Sequence, residues 1–342
     1  MSNPELNNEW ESSTEPSSEN NTSLQAEDSL VILPKFQKKE APENIWIKSI
    51  SSLVLYLALG FYIFKQWEIL LLITAIVLIH EAGHFLAMKM YHYNDLGIFF
   101  IPLLGAYVSG SKREISQKQS AIILLAGPLP GIIIGIILYL LDQYSGSHYF
   151  LGSSFSRIGM LFILLNIINL LPIYPLDGGQ LLNRVYLNEE STISKIFIFL
   201  SIAFLIWVAI KIPFYVLLIF PGMMLLRMFS EKNTIVVEKK IEEAGIQTDL
   251  EYRDLPDADY WAIRNILIAE QSSFNNFTPS PPYVYHEKEE RMMTAIQQLL
   301  HHHLIQDISI IGKIFILLLW LAAIAAPWLL KMEIPFLRAI GL

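Results

Sequence analysis

Cysteine is absent from this chain of 342 residues. That excludes disulfides and any thiolate metal site, so a bound metal would have to be held by histidine and carboxylate. Charge is scarce as well. Asp, Glu, Lys and Arg make up 16% of the residues, while 53% are hydrophobic, too apolar for an ordinary soluble protein. The net charge of −8 comes without a basic stripe, so nucleic-acid binding is not expected. Residues 1–30 do not resemble a secretory signal, being rich in Ser, Asn and Glu with neither a basic start nor an apolar core. They predict a disordered acidic tail over residues 1–44. Its one apolar patch, Val31-Ile32-Leu33, is assigned no docking role.

What the chain has instead is long apolar runs. Seven can be read, near Ile45–Phe64, Ile69–Met90, Gln119–Leu141, Ile158–Leu176, Lys195–Ile210, Pro213–Met228 and Ile308–Leu330. A helix needs roughly 20 apolar residues to cross a bilayer. The fifth and sixth runs fall slightly short of that, and are read as a hairpin broken at Lys211-Ile212-Pro213. With the N-terminus cytoplasmic, Lys35, Lys48, Lys89, Lys112, Arg184, Arg227 and Lys240 all fall on the cytoplasmic side, and Lys65, Arg157, Lys211, Lys331 and Arg338 oppose them. That asymmetry follows the positive-inside rule. The expected fold class is an all-α polytopic membrane protein in contact with lipid, of about seven transmembrane helices. It divides into the tail 1–44, a membrane domain 45–230, a small cytoplasmic helical region 231–307, and a C-terminal helix and tail 308–342.

The small region carries two amphipathic patterns, near Asp259–Gln271 with Trp261, Ile263, Ile266 and Leu267, and near Glu287–Leu304 with Met292, Met293, Ile296, Leu299 and Leu300. A Ser/Pro stretch, Ser272 to Pro282, separates them. Both stripes are read as packing faces, and the partner of the region is unknown. His301-His302-His303 point in different directions around a helix and cannot chelate one ion together.

The second apolar run leads into His80-Glu81-Ala82-Gly83-His84. Ionisable groups at that depth cost at least a few kcal/mol each, and a bound metal would compensate them. At i and i+4 on a helix both imidazoles face one way and can meet a single zinc ion. Glu81, offset by about 100°, is placed to take a proton from water rather than to ligate. Gly83 is read as leaving room beside the ion. A catalytic zinc needs a third protein ligand and an open position. Asp177, in Asn169-Leu170-Leu171-Pro172-Ile173-Tyr174-Pro175-Leu176-Asp177-Gly178-Gly179, is the candidate. Taken alone, that stretch reads equally well as a Pro/Gly helix exit with a solvated acid.

These two motifs resemble those of the site-2 protease family of intramembrane zinc metalloproteases: H-E-x-x-H in one helix and N-x-x-P-x-x-x-L-D-G two helices later. The resemblance covers about Ile69 to Gly179, a three-helix catalytic core over 69–179. It implies one Zn2+ held by His80, His84 and Asp177, with Glu81 as general base and Asn169 near the scissile carbonyl. It also implies a transmembrane protein substrate cut within or near its membrane segment, as in regulated intramembrane proteolysis, and a multi-pass location in the cell inner (plasma) membrane. Asn166, one turn before Asn169, is read as an interhelical hydrogen bonder. Gly97–Val108 is apolar but too short to span, and reads as a membrane-embedded hairpin. The family has a strand there, beside which an unwound substrate could pair. Ala126-Gly127-Pro128-Leu129-Pro130-Gly131 resembles the family's Gly-Pro motif and is assigned packing. No PDZ-like stretch is found. Two alternatives stay open, a prenyl-processing type of membrane metalloprotease and a non-enzymatic membrane protein with a structural metal. The core is expected to hold a hydrophilic cavity open to the cytoplasm.

Overall fold

The computed structural model describes residues 32–38, 44–102, 105–112, 115–146, 148–187, 191–212, 215–300, 304–329 and 332. They fall in two compact units, Glu40–Lys232 with His302–Leu342, and Met1–Lys39 with Asn233–His301. His301-His302-His303 and Val31 lie outside the described residues.

The larger unit is mostly helical. Among the described residues five helical segments are long and apolar enough to cross a membrane: Ile45–Ile63, Trp67–Met90, Gln117–Ser145, Thr192–Lys211 and Ile310–Leu329. Two shorter apolar helices, Phe155–Asn169 and Tyr215–Leu226, correspond to the fourth and sixth runs. Helices α1 (Ile45–Phe64) and α2 (Trp67–Met90) come first. Strands β1 (Asn94–Ile101) and β2 (Gly105–Ser111) then pair antiparallel, with Ile98 opposite Val108 and Phe100 opposite Ala106. The fold is therefore not all-α: the Gly97–Val108 segment forms two strands. The hairpin is tied to α1, because the Phe100 N–H donates to Ser52 Oγ at 3.1 Å and the Phe100 and Tyr56 rings sit 5.6 Å apart.

After the two-residue strand β3 (Ile115–Ser116), the third run forms two helices, α3 (Gln117–Ala126) and α4 (Pro128–Ser145), with Gly127 between them. Pro128 and Pro130 lack the N–H groups that would bond the carbonyls of Leu124 and Ala126, so the ladder breaks there. Helix α5 (Phe155–Asn169) ends at Asn169, seven residues before the expected Leu176, which is instead the N-cap of the next helix. Its stop has a local cause: Pro172 cannot bond the carbonyl of Ile168, and Leu171 before it is disfavoured in helical backbone. Asp177 opens the short helix α6 (Asp177–Leu181).

Helices α7 (Thr192–Lys211) and α8 (Ile219–Glu243) follow, and α11 (Ile310–Leu329) closes the unit. Trp320 and Ala323 of α11 join Ala121, Leu124, Leu125, Ile132, Leu170, Leu181 and Val185 in one core cluster. Residues 304–307, which the sequence reading grouped with the small region, belong here. Strand β4 (Leu304–Ile305) pairs parallel with β3, and Asp307 sits at the start of α3, accepting from Ser116 Oγ at 2.5 Å and Lys118 N at 3.0 Å. Burial pushes the Asp307 carboxyl up, but these two donors hold it below the ordinary aspartate range.

The smaller unit is built on α9 (Asp257–Glu270) and α10 (Glu289–Leu299), close to the two amphipathic patterns. Trp261, Ile263 and Leu267 pack with Met292, Ile296, Leu299 and Leu300, joined by Val237 and Ile241 from the end of α8. At its centre lies a fully buried ion pair, Arg264 Nε to Glu289 Oε1 at 2.7 Å. Both members of the pair are bonded further. Tyr260 donates to Glu289 Oε1 and the His286 N–H to Oε2, while Arg264 Nη1 donates to the Thr278 carbonyl. The Ser/Pro stretch is thus pinned to α9, where Asn265 also bonds the Ser280 backbone. Residues 32–38, expected to be part of a disordered tail, are also placed here: the Leu33 carbonyl accepts from Trp261 Nε1 at 2.7 Å.

Breaking one partner of a buried pair strands the other charge. Glu289→Gln is expected to destabilise this unit by about 3–5 kcal/mol. Limited proteolysis should show faster cleavage within residues 244–300, and unchanged cleavage would mean the pair contributes nothing.

Candidate metal centre

Helical spacing carries His80 and His84 of α2 to the same face, and the rest of the unit closes around them. Both are buried, as is Glu81. Asp177 is delivered by α6, its side chain 13% exposed. The three ligand atoms form a nearly equilateral triangle. His80 Nε2 and His84 Nε2 are 3.1 Å apart, and Asp177 Oδ2 is 3.1 Å from the first and 3.3 Å from the second. Bonds of about 2.0–2.1 Å at a tetrahedral zinc put ligand atoms about 3.3 Å apart, so the triangle has the size of one tetrahedral face.

The outer contacts fix which nitrogens carry protons. His80 Nδ1 lies 2.8 Å from Asn166 Oδ1, and His84 Nδ1 lies 2.7 Å from the Ile123 carbonyl. Both partners are acceptors, given that Asn166 Nδ2 donates to the Phe162 carbonyl at 2.7 Å. Each neutral imidazole therefore holds its proton on Nδ1 and turns the lone pair of Nε2 inward. Asp177 Oδ2 is buried with no donor to bond. With both imidazoles neutral, two lone pairs and a carboxylate oxygen converge, an arrangement that suits a cation. The group could hold one metal ion, and among the described residues no further His, Asp or Glu joins it.

The glycines explain how three elements come so close. A Cβ on Gly83 would lie 1.9 Å from the Ala126 carbonyl. Gly83 therefore serves the contact with the end of α3, and does not leave room beside the ion as the sequence suggested. A Cβ on Gly127 would lie 2.3 Å from His84 Nε2. The Gly-Pro break, read as packing alone, does more. Ile123 is among the last four residues of α3, whose carbonyls lack partners within that helix, and its carbonyl orients His84. Gly178 lies against the Leu170 carbonyl, where a Cβ would come within 2.0 Å, and Trp320 Nε1 donates to that same carbonyl at 2.8 Å. The last helix thereby braces the turn that carries Asp177. Nothing in the local sequence of Ile123 or Trp320 signals these roles, since a carbonyl has no residue signature and one tryptophan in an apolar helix is ordinary.

Glu81 does not join the triangle. It lines the cavity together with Val108 of β2. Asn169 is bonded back to the Leu165 carbonyl at 3.3 Å and does not touch the three ligand atoms. It lines the same cavity as His80, Glu81, His84 and Asp177, a space of about 900 Å³. Its walls are mostly apolar, contributed by Tyr56, Ile76, Val77, Leu124, Leu165 and Phe220 among others, and so less hydrophilic than the sequence reading expected.

With this geometry described, the comparisons with known proteins can be placed on it. Residues 68–152 match the model of Peptidase family M50. The chain is 31% identical over 122 residues to Stage IV sporulation protein FB of Bacillus subtilis, covering 35% of this chain and 41% of that protein. It is 28% identical over 120 residues to a zinc metalloprotease of Methanocaldococcus jannaschii, covering 35% and 34%. The chain thus spans less than half the length of the curated relatives it matches. A solved site-2 protease from Methanocaldococcus jannaschii overlays with 23% identity and a TM-score of 0.38, over 52% of this chain and 84% of that one. Asp177 lies outside the matched family segment, and its place beside His80 and His84 rests on the geometry above.

Zinc content reports the ligand set directly. Asp177→Ala is expected to lower retained zinc below one per chain after dialysis. Asn166→Ala, which frees His80 Nδ1, should weaken zinc affinity by about 10–100-fold. Full zinc retention in both variants would remove these residues from the centre.

Proposed function

We propose that this protein is an intramembrane zinc endopeptidase that hydrolyses a peptide bond within or near a transmembrane segment of a membrane-protein substrate. The observation that carries this reading is the three-atom face formed by His80, His84 and Asp177, open on its remaining side to a cavity inside a bundle of membrane-length helices. A structural metal would call for a closed, four-ligand set, and no fourth ligand is found among the described residues. A prenyl-processing protease would take Glu as third ligand, and here the third carboxylate is Asp177.

In this reading His80, His84 and Asp177 hold one Zn2+. When bound it supplies Lewis acidity, which brings the pKa of water near neutrality and polarises a carbonyl. The rest of the work falls to the chain. Glu81, beside His80 but turned off the ligand face, takes a proton from the attacking water and delivers it to the leaving amine. Asn169, on the cavity wall, offers its amide N–H to the oxyanion once the bond to Leu165 is released. Asn166 and the Ile123 carbonyl keep both imidazoles in the tautomer that faces inward.

A transmembrane substrate is helical, and its peptide bonds are shielded until the helix unwinds. Strand β2 pairs with β1 alone, and its Val108 lines the same cavity as His80 and Glu81. An unwound substrate segment adding along β2 would have its backbone held by strand hydrogen bonds beside His80 and Glu81. The distribution of Lys and Arg supports a cytoplasmic N-terminus in the cell inner membrane and a cut toward the cytoplasmic side.

Glu81→Gln is expected to abolish cleavage of a membrane-protein substrate, with a loss of at least about 100-fold, while zinc stays near one per chain. Residual processing at the parent rate would remove Glu81 as the base.

A further inference from the structure

Residues 32–38 have no helix or strand of their own, yet the smaller unit holds them along their backbone. Three of their carbonyls accept from three different aromatic side chains: Leu33 from Trp261 Nε1, Pro34 from the Tyr285 hydroxyl, and Phe36 from the Tyr252 hydroxyl. The Lys35 N–H donates to Asp257 Oδ1 at 2.8 Å. The Lys35 ammonium has a seat of its own, donating to the carbonyls of Arg253 and Leu255 at 2.6 Å each, with the Tyr252 ring 5.9 Å away. The Phe36 ring meets Tyr285 edge-on at 5.6 Å, and Tyr285 in turn stacks on Trp261.

This is a recognition site rather than incidental packing. Aromatic N–H and O–H donors directed at the carbonyls around a proline are how grooves read preformed, extended peptides. Pro34 contributes no N–H and biases Leu33 toward extended backbone. Paired carbonyls suit a compact ammonium with several donors better than a planar guanidinium. The register is fixed at Lys35, because its main-chain N–H and its side chain are both claimed.

We propose that the unit formed by residues 233–301 is a peptide-recognition module for a Leu-Pro-Lys-Phe type of segment, and that residues 32–38 are its intramolecular ligand. A segment of the same pattern from outside can then engage the module only by displacing this latch. Tethering gives the native segment a high effective concentration, so an external peptide competes well only when the latch is weakened.

The absence of cysteine permits a direct test in the full-length protein. Lys38 and Glu290 form an exposed ion pair at 2.6 Å, of a kind that contributes little to stability. Lys38→Cys with Glu290→Cys supplies the only two thiols, and a short bis-maleimide should join them within one chain. A synthetic peptide of residues 31–38 should suppress this cross-link. Its Lys35→Ala version should need at least about tenfold more peptide. Introducing Lys35→Ala into the chain itself should lower the required concentration of the native peptide by a similar factor. The Lys35→Ala changes lie on the tail and the peptide, outside residues 233–301, and Glu290→Cys is an exposed position common to every chain compared. Tyr285→Phe, which keeps the ring, should also weaken the latch. Failure of the parent to cross-link, or equal suppression by the two peptides, would overturn the proposal. So would a Lys35→Ala chain that no concentration of the native peptide can compete.

Discussion

Two imidazole lone pairs and a carboxylate oxygen meet within 3.3 Å in an apolar helical bundle, and much of the larger unit can be understood as the means of holding them there. Left to themselves these groups would turn toward water or toward any available donor. The imidazoles are prevented from doing so because each Nδ1–H is committed to an acceptor, Asn166 for His80 and the Ile123 carbonyl for His84. Asp177 is prevented because it sits at the head of a short helix whose next two residues are glycines wedged against backbone. The cluster is thus preorganised for a cation by contacts that lie one layer outside it.

That outer layer is made largely of places where helices stop. Helix α3 ends at the Gly127-Pro128 break, which frees a carbonyl to orient His84. Helix α5 ends before Pro172, which leaves the Leu170 carbonyl for Trp320 and brings the following turn under Gly178. A continuous helix satisfies its own backbone and offers a neighbour only side chains. Interruptions turn backbone groups into positioning groups, and inside a membrane they persist only where other parts of the protein satisfy them. The prolines and glycines around this site therefore act on its geometry through the backbone they free or let approach.

How much of this could be read beforehand differs from residue to residue. The pair His80 and His84, with Glu81 turned aside, was legible because helical periodicity is local and the apolar context made unpaired ionisable groups implausible. Asp177 was legible only as a companion to them. The fourth apolar run was read too long, through Leu176, although Pro172 already marked the stop. Gly83 was assigned to the ion when its neighbour is the Ala126 carbonyl, since sequence spacing says which face a glycine occupies but not what packs there. The docking of residues 32–38 was missed for a similar reason: the tail is polar by composition, and its partners Trp261, Tyr252 and Tyr285 lie more than two hundred residues away.

The sequence by itself determined the chemistry available and its surroundings. Without cysteine, metal ligation rests on histidine and carboxylate, and the long apolar runs make the setting a membrane. The i, i+4 spacing puts two ligands on one helical face. Only the tertiary structure decided what completes that face, which nitrogen of each imidazole points inward, and that a tryptophan in the last helix braces the turn bearing Asp177. The physical reason is range. Helix periodicity and proline or glycine effects act over a few residues and are written locally. Hydrogen bonds to carbonyls and backbone-to-backbone approach depend on which distant segments meet, and the identity of a residue carries no record of that.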